Sequence, residues 1–215
     1  IYSLYEHYNS KLKSSYNLPA RQKLKESLIS FLVEESDENI EEIFPPLELI
    51  SYSEIFSDTY NLYRDISKIK LLNIEDYELI DIEGVSGKCL CYLELEGIKI
   101  VMGSEDDNIY QDYFDIIIDF GGDVTYKFEN KSENYLNVII DYEGNDKYYT
   151  NVGSGFLSVG MLIDYTGDDL YDGGNFSFGS GICGVGILDD RNGDDIYKSD
   201  TLSQGAGFFG IGICL

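Results

Sequence analysis

The residues best equipped for chemistry are aspartates set around glycine turns. Asp164, Thr166 and Asp168 stand at i, i+2 and i+4 with Asp169 beside them, and Asp190, Asn192, Asp194 and Asp195 repeat the arrangement. Alternating oxygen donors around a tight turn suit a hard cation such as Ca²⁺, which takes about six to eight oxygens at about 2.3–2.6 Å. Asp164, Asp168, Asp169, Asp190, Asn192, Asp194 and Asp195 are therefore the candidate calcium ligands. Turn chemistry offers a metal-free alternative, because Asp and Asn side chains accept hydrogen bonds from their own backbone N–H groups. No Glu completes an EF-hand loop, and the spacing is not the nonapeptide period of a calcium-binding β-roll.

Other chemistry is poorly provided for. His7 is the only histidine and falls on an amphipathic stretch, so no Ser–His–Asp set assembles around it. Cys89, Cys91, Cys183 and Cys214 lack zinc-ligand spacing and do not read as a disulfide framework. Cys89 and Cys91 alternate along one strand and so are expected to share a face, while Cys183 and Cys214 align with apolar columns, so all four are expected as buried thiols. Paired carboxylates are the equipment of a glycosidase, yet every turn offers such a pair and none is singled out. Arg191 and Lys198 are the only basic residues after Lys147. Gly179 to Gly184 and Gly205 to Gly210 both match G-x-G-x-x-G, but the dinucleotide fingerprint needs a helix directly after it, and none is expected here.

These turns recur. An Asp-x-x-Gly-x-x-x-Tyr unit preceded by apolar residues carries leading aspartates at Asp119, Asp141, Asp164 and Asp190, and closing tyrosines at Tyr126, Tyr148, Tyr171 and Tyr197. The last copy reads as following one extra Asp, and Gly103 to Tyr110 resembles a degenerate first copy. Gly153, Gly179 and Gly205 share a column, as do Gly155, Gly181 and Gly207, and Gly160, Gly186 and Gly212. A unit this short cannot bury its own core, whereas stacked coils can, each laying its strands about 4.8 Å from those of the last. The expected fold is mainly β with an α N-terminal part: a parallel β-helix (β-solenoid) of about four to five coils with a helical N-terminal cap. The tyrosines are expected at coil corners, covering the turns. The combination of SQGAGFFGIG from Ser203 with the repeated D-x-x-G-D-D-x-Y resembles bacterial proteins with tandem repeats of this kind, over roughly residues 100–215. That resemblance implies a β-helical fold and lends no catalytic residues.

None of the first 83 residues is glycine, and the period there is helical. Ile1, Leu4, Tyr5, Tyr8 and Leu12 make one apolar stripe, and Leu24, Leu28, Phe31 and Leu32 another, on a helix starting near Pro19. A short helix is expected over Asp37 to Phe44, ended by Pro45 and Pro46. Tyr52, Ile55, Phe56, Tyr60 and Tyr63 form a further stripe, and Cys89 to Glu96 reads as a strand. Residues 1–76 are thus a helical segment packing against the start of the β region, and 77–215 a solenoid domain.

A net charge of -25 argues against nucleic acid and anionic lipid as partners, and no stretch is long and apolar enough to insert in a membrane. The function expected is a non-catalytic scaffold or interaction domain, calcium-stabilised, with a protein or carbohydrate partner and a cell-surface, envelope or extracellular setting. The alternative is a carbohydrate-active β-helix enzyme, a lyase or hydrolase acting on polysaccharide. An apolar triplet at the end of the chain is expected to leave an open end prone to self-association.

Overall fold

A computed structural model describes residues 1–18, 21–34, 40–68, 78–129 and 134–215. Among the described residues four helices lead the chain: α1 (Tyr2–Tyr16), α2 (Arg21–Val33), α3 (Ile40–Leu47) and α4 (Tyr52–Ile66). The expected helix starts at Pro19 and Asp37, and the domain boundary at 76/77, lie outside the described residues. Beyond them the chain winds into a β-solenoid of about four turns.

The solenoid has three faces. On the first, Ile98–Gly103, Ile116–Asp119, Leu136–Asp141, Val159–Asp164, Val185–Asp190 and Ile211–Cys214 stack in parallel. The second stacks Ile109–Tyr110, Thr125–Tyr126, Lys147–Tyr148, Leu170–Asp172 and Ile196–Lys198. The third is shorter: Gly155–Phe156, Gly181–Ile182 and Gly207–Phe208. At the lower end Cys89–Leu95 closes the first face antiparallel to Ile98–Gly103, through a turn with Glu96 at φ 53° and Gly97 at φ 79°. Two consecutive positive φ values match the right-handed twist of a two-residue hairpin. Among the described residues Cys89–Leu95 is the last strand of the sheet at that end, with a single bridge, Ile80 to Cys89, on its outer side.

Register explains the columns. Leu162 pairs with Ile139 and Leu188, Asp164 with Asp141 and Asp190, and Tyr171 with Tyr148 and Tyr197. First-face strands are apolar on both sides, as parallel strands covered twice must be. Val101, Ile117, Ile139, Leu162 and Leu188 point into the solenoid. Ile116, Ile118, Val138, Ile140, Met161, Ile163 and Val185 point outward into a second core shared with the helices. The helical segment therefore lies along this face and not only at its start. The Tyr5 hydroxyl donates to the Leu136 carbonyl (2.5 Å), that of Tyr16 to the Ser158 carbonyl (2.9 Å), and that of Tyr63 to Asp189 (2.8 Å).

Several local expectations are corrected. Pro45 and Pro46 sit inside α3, which continues to Leu47, because Ile43, Leu47 and Ile50 are buried and their burial outweighs the lost donors. The buried stripe of α4 is Ile55, Thr59, Leu62 and Ile66; Tyr60 is 67% exposed. Asp189 is no insertion: it pairs with Ile163, taking an apolar place in the column. Its charge is matched there by the Arg191 guanidinium (2.8 Å) and the Tyr63 hydroxyl, which clamp α4 to the sheet. A bulge at Leu90 pairs Cys89 with Gly103 but Cys91 with the adjacent Met102, so the two cysteines do not share a face. Cys214 stacks on Leu188 as expected but is exposed, since no strand lies above it among the described residues.

The Gly160–Gly186–Gly212 column marks a close approach of two chain segments. A methyl group on Gly186 would lie 2.1 Å from the Ser180 carbonyl oxygen, and one on Gly160 the same distance from that of Ser154. Backbone cannot yield as a side chain can. Gly186→Ala should cost about 1–3 kcal/mol, a fall of about 2–12 °C in melting temperature at this chain length. Gly174→Ala, where an added Cβ meets nothing within 4 Å, should stay within about 0.5 kcal/mol. Thermal melts of the two variants check the pair, and equal losses would sink the stacking argument.

Candidate metal centre

The period of a strand carries the leading aspartates inward. With Ile117, Ile139 and Leu162 facing the interior, the residues two positions on, Asp119, Asp141 and Asp164, must face it as well, and all three are fully buried. The closing tyrosines enter from the second face. Tyr110, Tyr126, Tyr148, Tyr171 and Tyr197 stack ring on ring at 4.5–5.2 Å, within 11° of parallel. The tyrosines thus line the interior and do not cover the corners.

Aspartate and tyrosine meet across adjacent turns. The Tyr110 hydroxyl donates to Asp119 (2.6 Å), that of Tyr126 to Asp141 (2.5 Å) and that of Tyr148 to Asp164. Each bond joins one turn to the leading acid of the next. The pattern changes at the top, where Tyr197 donates to Asp190 of its own turn (2.7 Å) and the buried Tyr171 hydroxyl has no hydrogen-bond partner. The leading acids are therefore satisfied mainly by tyrosine and only in part by turn backbone, as where Gly121 N–H donates to Asp119 (3.1 Å).

Two further ladders run in opposite directions. On the inner one, Asp146 accepts from the Val124 N–H (2.7 Å), Asp169 from that of Asp146 (2.6 Å) and Asp195 from that of Asp169 (2.9 Å). On the outer, solvent-facing one, Asp123 accepts from Asn145, Asn145 from Asp168 and Asp168 from Asp194, each at 3.0 Å. Of the candidate ligands, the structure brings Asp164, Asp169, Asp190 and Asp195 together. Asp168 and Asp194 belong to the outer ladder, and the Asn192 carbonyl accepts from Gly167 N–H across the turn (3.0 Å).

Carboxylate oxygens of Asp146, Asp164 and Asp169 lie within 4.8 Å of one another, and so do those of Asp169, Asp190 and Asp195. Asp169 is common to both groups. Asp146 Oδ2, Asp164 Oδ1, Asp169 Oδ2 and Asp190 Oδ1 are buried without a hydrogen-bond partner. Sequence reasoning misses Asp146, and it finds Tyr171 in the repeat without showing that its hydroxyl lies buried and unpartnered. The signal for Asp146 is the Gly-x-Asp spacing of 144–146, 167–169 and 193–195, which the first turn conceals by placing Val124 in that column.

Burial raises Asp119, Asp141, Asp146, Asp164, Asp169 and Asp195, because removing a carboxylate from water disfavours its charged form. Asp119 is raised only to about 6, since Tyr110, Asn108 and the Gly121 N–H all donate to it. Asp164 reaches about 9, its burial reinforced by the neighbouring charge of Asp169. Desolvation lifts Asp146 to about 8 and Asp169 to about 7.

A carboxyl raised in this way takes up a proton on folding. Its stabilisation is complete below the unfolded value of about 3.9 and is lost as pH rises through about 7–9. In the absence of divalent cations the melting temperature should therefore fall between pH 5 and pH 9. Each tenfold gain in proton affinity on folding is worth about 1.36 kcal/mol, or about 3–5 °C at this length. A melting temperature flat or rising over that range would refute the raised acids. Comparison with known proteins gives no further guide to the centre: no family model matches the chain, and neither a curated protein nor a solved structure matches it.

Proposed function

We propose that the chain is a non-catalytic β-solenoid scaffold whose aspartate spine is neutralised by Ca²⁺. Asp146, Asp164 and Asp169 hold one ion, and Asp169, Asp190 and Asp195 a second. The observation that carries this reading is the set of buried, unpartnered oxygens on Asp146, Asp164 and Asp169, beside an equally unpartnered Tyr171 hydroxyl. Unpaired buried charge is the costliest feature a fold can carry, and a hard cation with oxygen ligands removes the cost. At low pH protons do the same work, so proton and metal compete for the spine.

The scaffold part of the reading rests on equivalence. The leading aspartate, the turn glycine and the closing tyrosine recur in each turn of the stack, and the changes at the top and at Val124 remove a donor or an acid without adding a reacting group. The likeness to bacterial tandem-repeat proteins, and a cell-surface or envelope setting where calcium is abundant, belong to the same proposal.

Thermal melts at pH 8 in excess calcium and in chelator test it. Only the folded chain assembles the ligands, so calcium at about a hundred times its Kd should add about 2.7 kcal/mol, a rise of about 5–11 °C. The increment should vanish at pH 5. Asp169→Asn should abolish it at pH 8, whereas Asp168→Asn with Asp194→Asn, on the outer ladder, should keep it. Identical melts with and without calcium at pH 8 would remove the metal from the account.

A further inference from the structure

The solenoid loses its regularity on one side, and a groove lies there. Among the described residues the third face has three strands, on the upper turns. Lower down, that side is formed by Gln111 to Asp115, by Lys127 to Glu129 and by Asn134, with the hairpin turn at Glu96 and Gly97 as a rim. Between these segments lies a cavity of about 960 Å³, at the upper end of the roughly 300–1,000 Å³ typical of small-molecule sites.

Its floor is rigid. Asp115 is buried and accepts from the Asn134 side chain (2.8 Å), the Lys99 N–H (2.9 Å), the Tyr5 hydroxyl (3.2 Å) and that of Tyr113 (3.4 Å). Arg21 of α2 donates to the Asn134 carbonyl (3.0 Å), and Asn9 of α1 accepts from the Tyr135 N–H (2.8 Å). Two helices and three solenoid segments thus hold the floor in one arrangement. Tyr113 and Phe128, edge to face at 5.9 Å, give it an apolar patch, and Tyr149 stands on the wall, 41% exposed. Around them Gln111, Asp112 and Lys127 are exposed, offering amide, carboxylate and ammonium groups to the cavity.

We infer that this groove binds a neutral oligosaccharide. A pyranose ring presents an apolar face to an aromatic side chain and vicinal hydroxyls that both donate and accept. Tyr149 and the Tyr113–Phe128 patch suit the first property; Gln111, Asp112 and Lys127 suit the second. An anionic sugar or nucleic acid is disfavoured by a net charge of -25 and by a lining in which carboxylates outnumber lysines. The groove shares no residue with the aspartate spine, so its occupancy does not depend on calcium.

The test is isothermal titration calorimetry of the full chain with five neutral probes: cellohexaose, xylohexaose, mannohexaose, maltohexaose and chitohexaose. At least one should bind with a Kd below about 1 mM. Tyr149→Ala and Gln111→Ala should each weaken that binding about tenfold or more at an unchanged melting temperature, while Asp194→Asn should leave it unaltered. Failure of all five probes to bind overturns the inference. So does binding that survives both groove substitutions, or a groove that takes hexalysine, lost in Asp112→Asn, and no sugar.

Discussion

Everything in this fold depends on stacking like on like, and the interaction under most strain is the column of buried aspartates. Neighbouring strands sit about 4.8 Å apart, so a residue that recurs in every turn meets its own copy above and below. For isoleucine or tyrosine that is favourable, and the ring stack shows it. For aspartate it is adverse twice over, since each carboxylate is desolvated and faces another. The fold relieves this with donors, most of them from an adjacent turn: a tyrosine hydroxyl for Asp119, Asp141 and Asp164, and a backbone N–H for the inner acids. The same bonds lock the register, because a one-residue slip would part every donor from its acceptor.

The helices follow from the same geometry. Strands apolar on both sides need two covers, and the solenoid interior supplies only one. The other is the outward stripe of Ile116, Val138, Met161 and Val185, onto which the helices lay Tyr5, Leu12, Leu28 and Ile55. Hydrophobic burial is non-directional, so it does not decide how far along the stripe each helix sits. Polar contacts do: Tyr5 at Leu136, Tyr16 at Ser158, and Tyr63 at Asp189 fix three separate heights.

Much of this is legible in the chain because in-register stacking turns matching letters into neighbours. The Asp119, Tyr126 and Gly155 columns need only offsets to be found. What escapes has physical reasons. Second-face strands such as Lys147–Tyr148 are two residues long, too short for alternation to say which residue faces inward, so the sequence alone puts the tyrosines at the corners. Asp189 reads as an insertion because a charge in an apolar column makes sense only once Arg191 and Tyr63 are beside it. Asp146 is hidden by a single substitution, Val124, at the start of its column. The stripes of α1 and α4 show apolar faces without showing that the partner is the flank of a sheet.

Periodicity also separates two kinds of chemistry in one molecule. Where a side chain repeats, its environment is dictated by its copies, and its hydrogen-bonding capacity is spent on the turns above and below. Asp141 and Asp164 are of this kind: their neighbours are other acids and the tyrosine ladder, and what they bind must be small enough to lie inside the stack. Where the repeat lapses, no copy constrains the side chain. Gln111, Asp112 and Tyr149 stand outside the ladders that order the spine, on a floor held by Asp115 and by two helices. A solenoid can thus carry a site larger than an ion only at the cost of its regularity, and the break between the lower and upper turns is where this chain has given regularity up.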